Sequence, residues 1–259
     1  MTFSVTPLGT AAPHPLPGRP CSGYLVRAGG ATVWMDAGPG TFAELQRHVH
    51  PGELSAIWIS HLHSDHWADL IAAEAGISDG GLRTGRPIPV YAPAAAPGRL
   101  AGFYGKPELG PLADVFAFHA LADGATLTLG GAVLVSHAVP HGIEAYGARI
   151  TYEGAVLAYT GDSGPGPELT QLAQGADLLL AEAYLDRHGP GLRLHLTPED
   201  AGGLARAAGP RELLVSHVGP GLTPAAAASR AAAVFGGPTG FAREGVTYDV
   251  GNRQAQQPS

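Results

Sequence analysis

Ile59-Ser60-His61-Leu62-His63-Ser64-Asp65-His66 is the stretch that decides the fold of this chain, because it places three imidazoles and one carboxylate within six positions. The apolar run 54–59 predicts a buried strand that ends in a turn rich in metal ligands. Alternate side chains of an extended segment share a face, so His61 and His63 can bind one ion together. After the chain turns, Asp65 and His66 can face a second ion. A lone buried histidine is usually a core residue, but four ligand-type side chains at this spacing favour metal binding.

The composition is that of a globular protein with few charges. Of the 259 residues, 45% are hydrophobic and 14% are charged. The net charge of −7 and the single lysine, Lys106, leave no broad basic surface. We therefore do not expect long nucleic acid as a partner, although small phosphate-bearing substrates remain open.

The single cysteine, Cys21, excludes an internal disulfide and a cysteine-based zinc site. It fits a reducing compartment, and we interpret it as a small apolar filler. The sequence begins without a basic segment followed by a long apolar run, and no later run reaches the length of a membrane span. We expect a cytoplasmic protein with no membrane partner.

Short apolar runs, separated by Gly- and Pro-rich turns, alternate with helical patterns along the chain. The patterns predict strands over 3–8, 24–26, 31–35, 54–60, 90–91, 113–118, 126–129, 132–136, 148–152, 155–159, 177–181, 212–216 and 246–250. They predict helices over 41–49, 65–75, 98–104, 168–174, 198–208 and 224–235. This order favours one domain over residues 1–250, with two sheets inside and helices outside, followed by a polar, flexible tail over 251–259.

Two metal sites need more ligands than the cluster at 61–66 supplies, and ligand-type residues do follow other apolar strands. His217 follows the run 213–216, and Asp162 follows the run 157–161. Near the strand at 132–136 the residues alone leave two candidates, His137 and His141.

Three Ser-His dipeptides, at 60–61, 136–137 and 216–217, suggest a serine nucleophile at first sight. Neighbouring side chains of a strand point to opposite faces, so we expect none of these pairs to form a Ser-His dyad by itself. Serine catalysis is therefore disfavoured.

The chain resembles the metallo-β-lactamase superfamily, and within it the ribonuclease Z branch, which includes small-molecule and cyclic phosphodiesterases. The resemblance covers about residues 3–250. The motifs that carry it are His61-Leu62-His63-Ser64-Asp65-His66, Gly161-Asp162-Ser163, the isolated His217, Leu8-Gly9-Thr10 with Arg19 and Ser22, and His195-Leu196-Thr197. It implies an α/β fold, the four-layer αββα metallo-β-lactamase sandwich.

The resemblance also implies a ligand set. It assigns His61, His63 and His141 to one metal, and Asp65, His66 and His217 to the other, with Asp162 bridging the two. It selects His141 over His137 because the segment 141–147 is similar to the third ligand of the family and the strand start that follows it.

Three further roles come from the resemblance. Asp65 would orient the attacking water, and His195 would protonate the leaving group; the alternative for His195 is that it merely precedes a helix capped by Thr197. Asp36 matches a buried carboxylate that anchors the site. Asp69 stands where many relatives have glycine, with no consequence that the sequence explains.

The implied function is hydrolysis with the help of two divalent metal ions. The histidine and carboxylate ligands suit zinc best, with manganese or iron as alternatives. Members of the branch that process transfer RNA carry a long arm between the third ligand and the bridging aspartate. Here only 20 residues, 142–161, separate His141 from Asp162. A small nucleotide or ribose phosphodiester, cyclic or linear, is therefore the expected substrate.

Three alternatives stay open. One is hydrolysis of a lactone, ester or thioester, because the same activated water can attack an acyl carbon. A second is a ribonuclease Z-type endonuclease, and a third is a binding module without activity. A homodimer is compatible with the resemblance.

Overall fold

Two β-sheets of seven strands each form the centre of the computed structural model, which describes residues 2–251. The strands, in chain order, are β1 (Phe3–Gly9), β2 (Gly23–Ala28), β3 (Ala31–Met35), β4 (Ala56–Trp58), β5 (Ile88–Ala92), β6 (Phe116–Ala120), β7 (Thr126–Leu129), β8 (Ala132–Ala138), β9 (Tyr146–Tyr152), β10 (Ala155–Tyr159), β11 (Leu178–Ala183), β12 (Glu212–Val218), β13 (Thr239–Phe241) and β14 (Tyr248–Asp249). The first sheet has the order β14-β1-β2-β3-β4-β5-β6, and the second has the order β13-β12-β11-β10-β9-β8-β7. The predicted tail over 251–259 lies outside the described residues apart from Gly251.

Residues 2–251 contain seven α-helices, of which all but the short α2 pack on the outer faces of the two sheets. They are α1 (Thr41–Leu45), α2 (Ser64–Trp67), α3 (Asp69–Ser78), α4 (Ala96–Phe103), α5 (Pro167–Ala173), α6 (Pro198–Ala208) and α7 (Pro224–Phe235). Within residues 2–251, none of the helices has both the length and the apolar composition that crossing a membrane requires.

Three apolar cores hold the layers together. The first lies between the sheets, where Trp58 and Leu180 are both buried. The second joins the outer face of the first sheet to α1, α3 and α4, and the third joins the outer face of the second sheet to α5, α6 and α7. Burial of both faces of each sheet explains the continuous apolar runs in the central parallel strands. The arrangement confirms the predicted four-layer αββα sandwich.

Strand direction brings the ends of several strands to one edge. In the first sheet β3 and β4 are parallel, and in the second β10, β11 and β12 are parallel. Strand β8 is antiparallel to β9, which is antiparallel to β10, so β8 and β10 point the same way. The residues that follow these strands therefore meet where the carboxyl ends of the two sheets lie side by side.

Two predicted helices are shorter than the sequence indicated. The helix predicted over 41–49 ends at Leu45, and the chain tightens into turns before the proline at 51. The helix predicted over 65–75 is divided between α2 and α3, because the Asp69 amide donates to the Ala37 carbonyl at 2.8 Å. The Asp69 carboxylate in turn accepts the Phe42 amide at 2.7 Å, so this side chain ties α3 to the start of α1.

Other differences involve short segments. The strand predicted over 113–118 is a 3₁₀ turn, Gly110–Asp114, followed by β6. Only two residues of the strand predicted over 246–250 pair with β1. Strand β13 was absent from the prediction, because three residues with a central glycine carry no periodic pattern.

Candidate metal centre

The residues singled out in the sequence gather at the shared edge of the two sheets. Asp36 follows β3, the histidine-rich turn follows β4, and Asp162 follows β10. His217 lies near the end of β12, with a positive φ of 47° that turns it away from regular strand geometry. The sheets also touch here, because His61 forms a bridge with Ala145.

The first group of ligand atoms comes from His61, His63 and His141, which we call the outer group. The Nε2 atoms of His61 and His141 each lie 3.1 Å from His63 Nδ1. Two ligands of a tetrahedral zinc ion, each at about 2.0–2.1 Å, lie roughly 3.3 Å apart, so these nitrogens are spaced to share one ion. Asp162 Oδ2 lies 3.7 Å from His61 Nε2 and completes a set of four.

The far sides of the outer imidazoles are also held. His141 Nδ1 lies 2.9 Å from the Leu194 carbonyl, which can only accept a hydrogen bond, so Nδ1 donates and Nε2 keeps its lone pair for the site. His61 Nδ1 lies 3.0 Å from the Ser60 hydroxyl. Burial, the leading cause, lowers the pKa values of His61, His63 and His141, which favours the neutral imidazoles that bind metal.

The second group, which we call the inner group, consists of Asp65, His66 and His217, and all three are buried. Asp65 Oδ2 lies 3.8 Å from His66 Nε2 and 4.0 Å from His217 Nε2. Asp162 reaches the inner group as well, with its oxygens 3.2 Å from His66 Nε2 and 3.1 Å from His217 Nε2. Asp162 thus faces both groups.

Two buried atoms of this centre have no hydrogen-bond partner among the described residues: His66 Nε2 and Asp162 Oδ1. They lie 3.2 Å apart without the geometry of a hydrogen bond. A buried polar atom left unpaired destabilises the fold unless an ion or water satisfies it. A divalent cation at the inner group would satisfy both atoms, so the residues fit a metal site.

Charges within the inner group are strongly coupled. Burial lowers the pKa of His66, but the carboxylates of Asp162 and Asp36 outweigh it and raise the pKa well above its ordinary value. Burial raises the pKa of Asp162, but His217 and His66 outweigh it and hold this pKa well below its ordinary value. A metal ion bound here would compensate the same buried carboxylates that raise the pKa of His66.

Asp36 is the buried carboxylate that holds His66 of the inner group, as the resemblance implied. Its Oδ2 accepts hydrogen bonds from the Tyr159 hydroxyl at 2.7 Å and the Ser60 hydroxyl at 2.8 Å, and lies 2.8 Å from His66 Nδ1. Its Oδ1 accepts the Ser60 amide at 2.7 Å. Because Asp36 holds the Nδ1 proton of His66, the Nε2 atom is directed into the site.

His195 stands beside the two groups. Its Nδ1 lies 2.9 Å from Glu182 Oε1 and 3.8 Å from Asp162 Oδ2. Burial lowers the pKa of His195, but the hydrogen bond to Glu182 outweighs it and raises the pKa. The Nδ1 edge of the ring therefore faces Glu182 and, further away, the shared Asp162. Thr197 caps α6 as predicted, so His195 also precedes a helix.

Glu182 is a residue of this centre that the sequence prediction missed. It is buried, and besides His195 it accepts the backbone amides of Ser163 at 2.8 Å and Tyr184 at 3.1 Å. Burial raises the pKa of Glu182. The signal was one acidic residue near the end of β11, whose other residues are all apolar, because a buried charge is kept only if it has partners.

Two predictions about histidines now have a structural outcome. His141 joins the outer group, whereas His137 lies within β8 and belongs to none of the metal-binding groups formed by the described residues. The expectation that neighbouring Ser and His side chains point to opposite faces was wrong for Ser60 and His61, whose side chains lie 3.0 Å apart. They follow the end of β4 and are free of strand alternation. Ser60 is fully buried and donates to Asp36, so it is not placed as a nucleophile.

Known proteins share this fold and much of this sequence. The profile of the beta-lactamase superfamily domain matches residues 5–218. An uncharacterized protein of Mycobacterium tuberculosis is 37% identical over 246 residues, which cover 92% of this chain and 89% of that protein. Ribonuclease Z of Mycobacterium marinum is 30% identical over 251 residues, which cover 85% of this chain and 88% of that enzyme.

A solved structure agrees with these relatives. The crystal structure of the metallo-beta-lactamase fold protein YhfI from Bacillus subtilis matches with a TM-score of 0.83 and 26% identity, over 96% of this chain and 100% of YhfI. YhfI carries the name of a probable metallo-hydrolase. Profile, relatives and fold agree, and the chain belongs to the metallo-β-lactamase superfamily of metallo-hydrolases.

Proposed function

We propose that this protein is a two-metal hydrolase of small phosphodiesters, such as cyclic nucleotides or ribose phosphodiesters. The observation that carries the proposal is the sharing of Asp162 between the outer and inner groups, with the His195 imidazole beside both. An arrangement of two cations and one acid suits a reaction in which an anionic phosphoryl group loses an alkoxide.

In this proposal the outer group holds one ion through His61, His63 and His141, and the inner group holds the other through Asp65, His66 and His217. Asp162 bridges them. Imidazole and carboxylate ligands without thiolate suit zinc best, and manganese or iron is compatible. Bound there, two divalent ions would activate water near neutral pH and offset the negative charge of the phosphoryl group.

The side chains then have separate tasks. Asp65, buried beside the inner imidazoles, would orient the attacking water. His195 would deliver the proton of its Nε2 to the departing oxygen, since Glu182 holds Nδ1. Glu182 bonds to the His195 ring and is itself held by two backbone amides, so it is a positioning residue.

The chain path supports a small substrate. The residues between His141 and Asp162 contain the hairpin of β9 and β10, with a turn at Glu153 and Gly154 and no arm that could grip a folded RNA. The net charge of −7 disfavours a long polyanion. Both features favour a small phosphodiester over a transfer-RNA precursor.

Turnover of bis-p-nitrophenyl phosphate, a panel of cyclic nucleotides, a lactone, a thioester and a transfer-RNA precursor by the metal-loaded protein tests the proposal. We expect phosphodiester turnover to dominate. Turnover of only the lactone or thioester, or of only the precursor, would contradict it.

His195→Ala tests the assigned acid. The variant should keep its metal and lose about 10²–10⁴-fold in turnover, the usual contribution of a general acid. The loss should be largest for alkyl leaving groups, which need the proton most. His50→Gln is the control, because His50 is exposed and precedes the amino-terminal end of β4, away from the site. Loss of metal from His195→Ala would show that its role is ligation.

A further inference from the structure

Tyr184 follows β11 directly and lies against the metal centre. The centroid of its ring lies 4.5 Å from that of His195, at 32°, and 5.6 Å from that of His217, at 34°. The His195 and His217 rings are nearly parallel, at 11° and 6.2 Å, so Tyr184 spans both of them. It therefore forms a wall on the side of the site where His195 acts.

The backbone of Tyr184 is held from two sides. Its amide donates to Glu182 Oε2 at 3.1 Å. Its carbonyl packs against Gly219, where an added Cβ would lie only 2.2 Å from the Tyr184 oxygen. These contacts tie the Tyr184 backbone to Glu182 and to the loop after His217, so the backbone that carries the ring is held beside the site.

The hydroxyl of Tyr184 differs from most tyrosine hydroxyls in this chain. Five others have hydrogen-bond partners: those of Tyr24, Tyr104, Tyr146, Tyr159 and Tyr248. The Tyr184 hydroxyl has none among residues 2–251, although the side chain is half-buried. Burial raises the pKa of this phenol, and the charges of Asp65, Asp162 and Glu182 raise it further.

We infer that Tyr184 is a substrate-binding residue whose hydroxyl donates a hydrogen bond to a phosphoryl oxygen of the substrate. The inference rests on the proposed function. In that function the phosphoryl group would lie between the two ion-binding groups, and Tyr184 would offer it a neutral, unpaired donor on the His195 side. A fixed donor aimed at a charged oxygen stabilises it without reorganisation during the reaction. The ring would also limit the width of the leaving group beside His195.

Two variants separate the hydroxyl from the ring. Tyr184→Phe removes the donor and keeps the ring against His195 and His217, whereas Tyr184→Ala removes both. Tyr248→Phe is the matched control, because its hydroxyl bonds to the Phe241 carbonyl near the edge strands. For each protein we would measure metal content, the thermal midpoint, kcat and KM for bis-p-nitrophenyl phosphate, and calorimetric affinity for inorganic phosphate in the metal-loaded state.

We expect Tyr184→Phe to lower kcat/KM and phosphate affinity by about tenfold or more, the usual effect of one lost hydrogen bond to a charged oxygen. Metal content and thermal midpoint should match the wild type, and Tyr248→Phe should behave as wild type in every measurement. Wild-type kinetics and phosphate affinity for Tyr184→Phe would overturn the inference, even if Tyr184→Ala is impaired, because the ring alone would then matter.

The phosphate measurement separates this inference from the proposed function. If the wild type hydrolyses no phosphodiester, the proposed function fails on its own. Weaker phosphate binding by Tyr184→Phe would still support Tyr184 as an oxyanion contact, and equal binding would still overturn it.

Discussion

The outer and inner groups use similar ligands but differ in depth and in support. The outer group opens to solvent through His63 and His141, and a serine hydroxyl and a backbone carbonyl hold its histidines. The inner group is buried, and its histidines are held by the Asp36 carboxylate and by the Ser22 hydroxyl, which lies 2.8 Å from His217 Nδ1.

The difference indicates how two ions could be held unequally. Buried carboxylates and fixed imidazoles give the inner group the stronger field and the more rigid geometry, since less water screens the charges there. The outer group presents neutral imidazoles near solvent, which suits an ion that must accommodate an entering substrate. We therefore expect the inner ion to bind more tightly and exchange more slowly.

Asp162→Asn should have the largest effect, because it weakens both groups at once. Loss of a residue behind a metal ligand already costs about 10–100-fold in affinity or activity, and Asp162 itself faces both groups. We expect metal content to fall below two ions per chain and turnover to drop by more than about 100-fold. Asp177→Asn is the control. Asp177 lies before the amino-terminal end of β11, whereas the metal centre lies at the carboxyl-terminal ends of β10 and β11.

The expectation for Asp162 has a clear opposite. If Asp162→Asn keeps two ions and wild-type turnover, while Asp177→Asn also behaves as wild type, then Asp162 is not a ligand that the outer and inner groups share.

His141→Ala should weaken metal binding by the outer group and leave the inner group unchanged. We expect it to lose the outer ion and keep the inner one, giving about one ion per chain by elemental analysis. His137→Ala is the matched histidine control and should keep both ions, because His137 lies within β8. The reverse pattern, with metal lost from His137→Ala, would show that the ligand had been assigned to the wrong histidine.

Asp36→Asn should weaken the inner group by about 10–100-fold in metal affinity and leave the outer group intact. Asparagine tolerates the positive φ of 55° at this position, so the backbone can be retained. Its single carbonyl oxygen cannot replace both carboxylate oxygens of Asp36, and its NH2 group would face donors, so the hydrogen bonds that orient His66 are disturbed. Competition with a metal-binding dye would measure both affinities; equal weakening of the two ions would contradict the comparison.

Cys21 gives the smallest expected effect. Its thiol is fully buried near the inner group, and burial, followed by the charges of Asp65 and Asp69, raises its pKa to about 12. We expect no reaction with a thiol reagent at pH 8, either with metal or after chelation, because the inner group is formed by the fold itself. Rapid labelling after chelation alone would mean that the metal is needed to form the surroundings of Cys21.

The sequence predicted the layers and most of the ligand set because both follow from periodic patterns. Apolar runs such as the one in β11 identify buried strands, and ligand-type residues after them meet at one edge of parallel strands. His61, His66 and Asp162 were accessible in this way. The choice between His137 and His141 was not, since both follow the predicted strand at 132–136 and only the resemblance separated them.

The features that the sequence did not predict depend on contacts between segments that lie far apart in the chain. The assignment of Glu182 depends on its hydrogen bond to His195, which lies on a separate loop. No local sequence pattern connects the two residues. The break between α2 and α3 comes from the Ala37 carbonyl, which competes for the Asp69 amide. The pairing of Ser60 with His61 required the exact end of β4, and strand boundaries are the least predictable feature of a sequence.

The central claim is that two ions, held by groups that share Asp162, are both needed for hydrolysis. Titration of the metal-free protein with zinc, followed by turnover of bis-p-nitrophenyl phosphate, tests it most directly. We predict little turnover up to one equivalent per chain, while the inner group fills, and then a rise to a maximum at two equivalents. Full turnover at one equivalent, or turnover without any metal, would contradict the account.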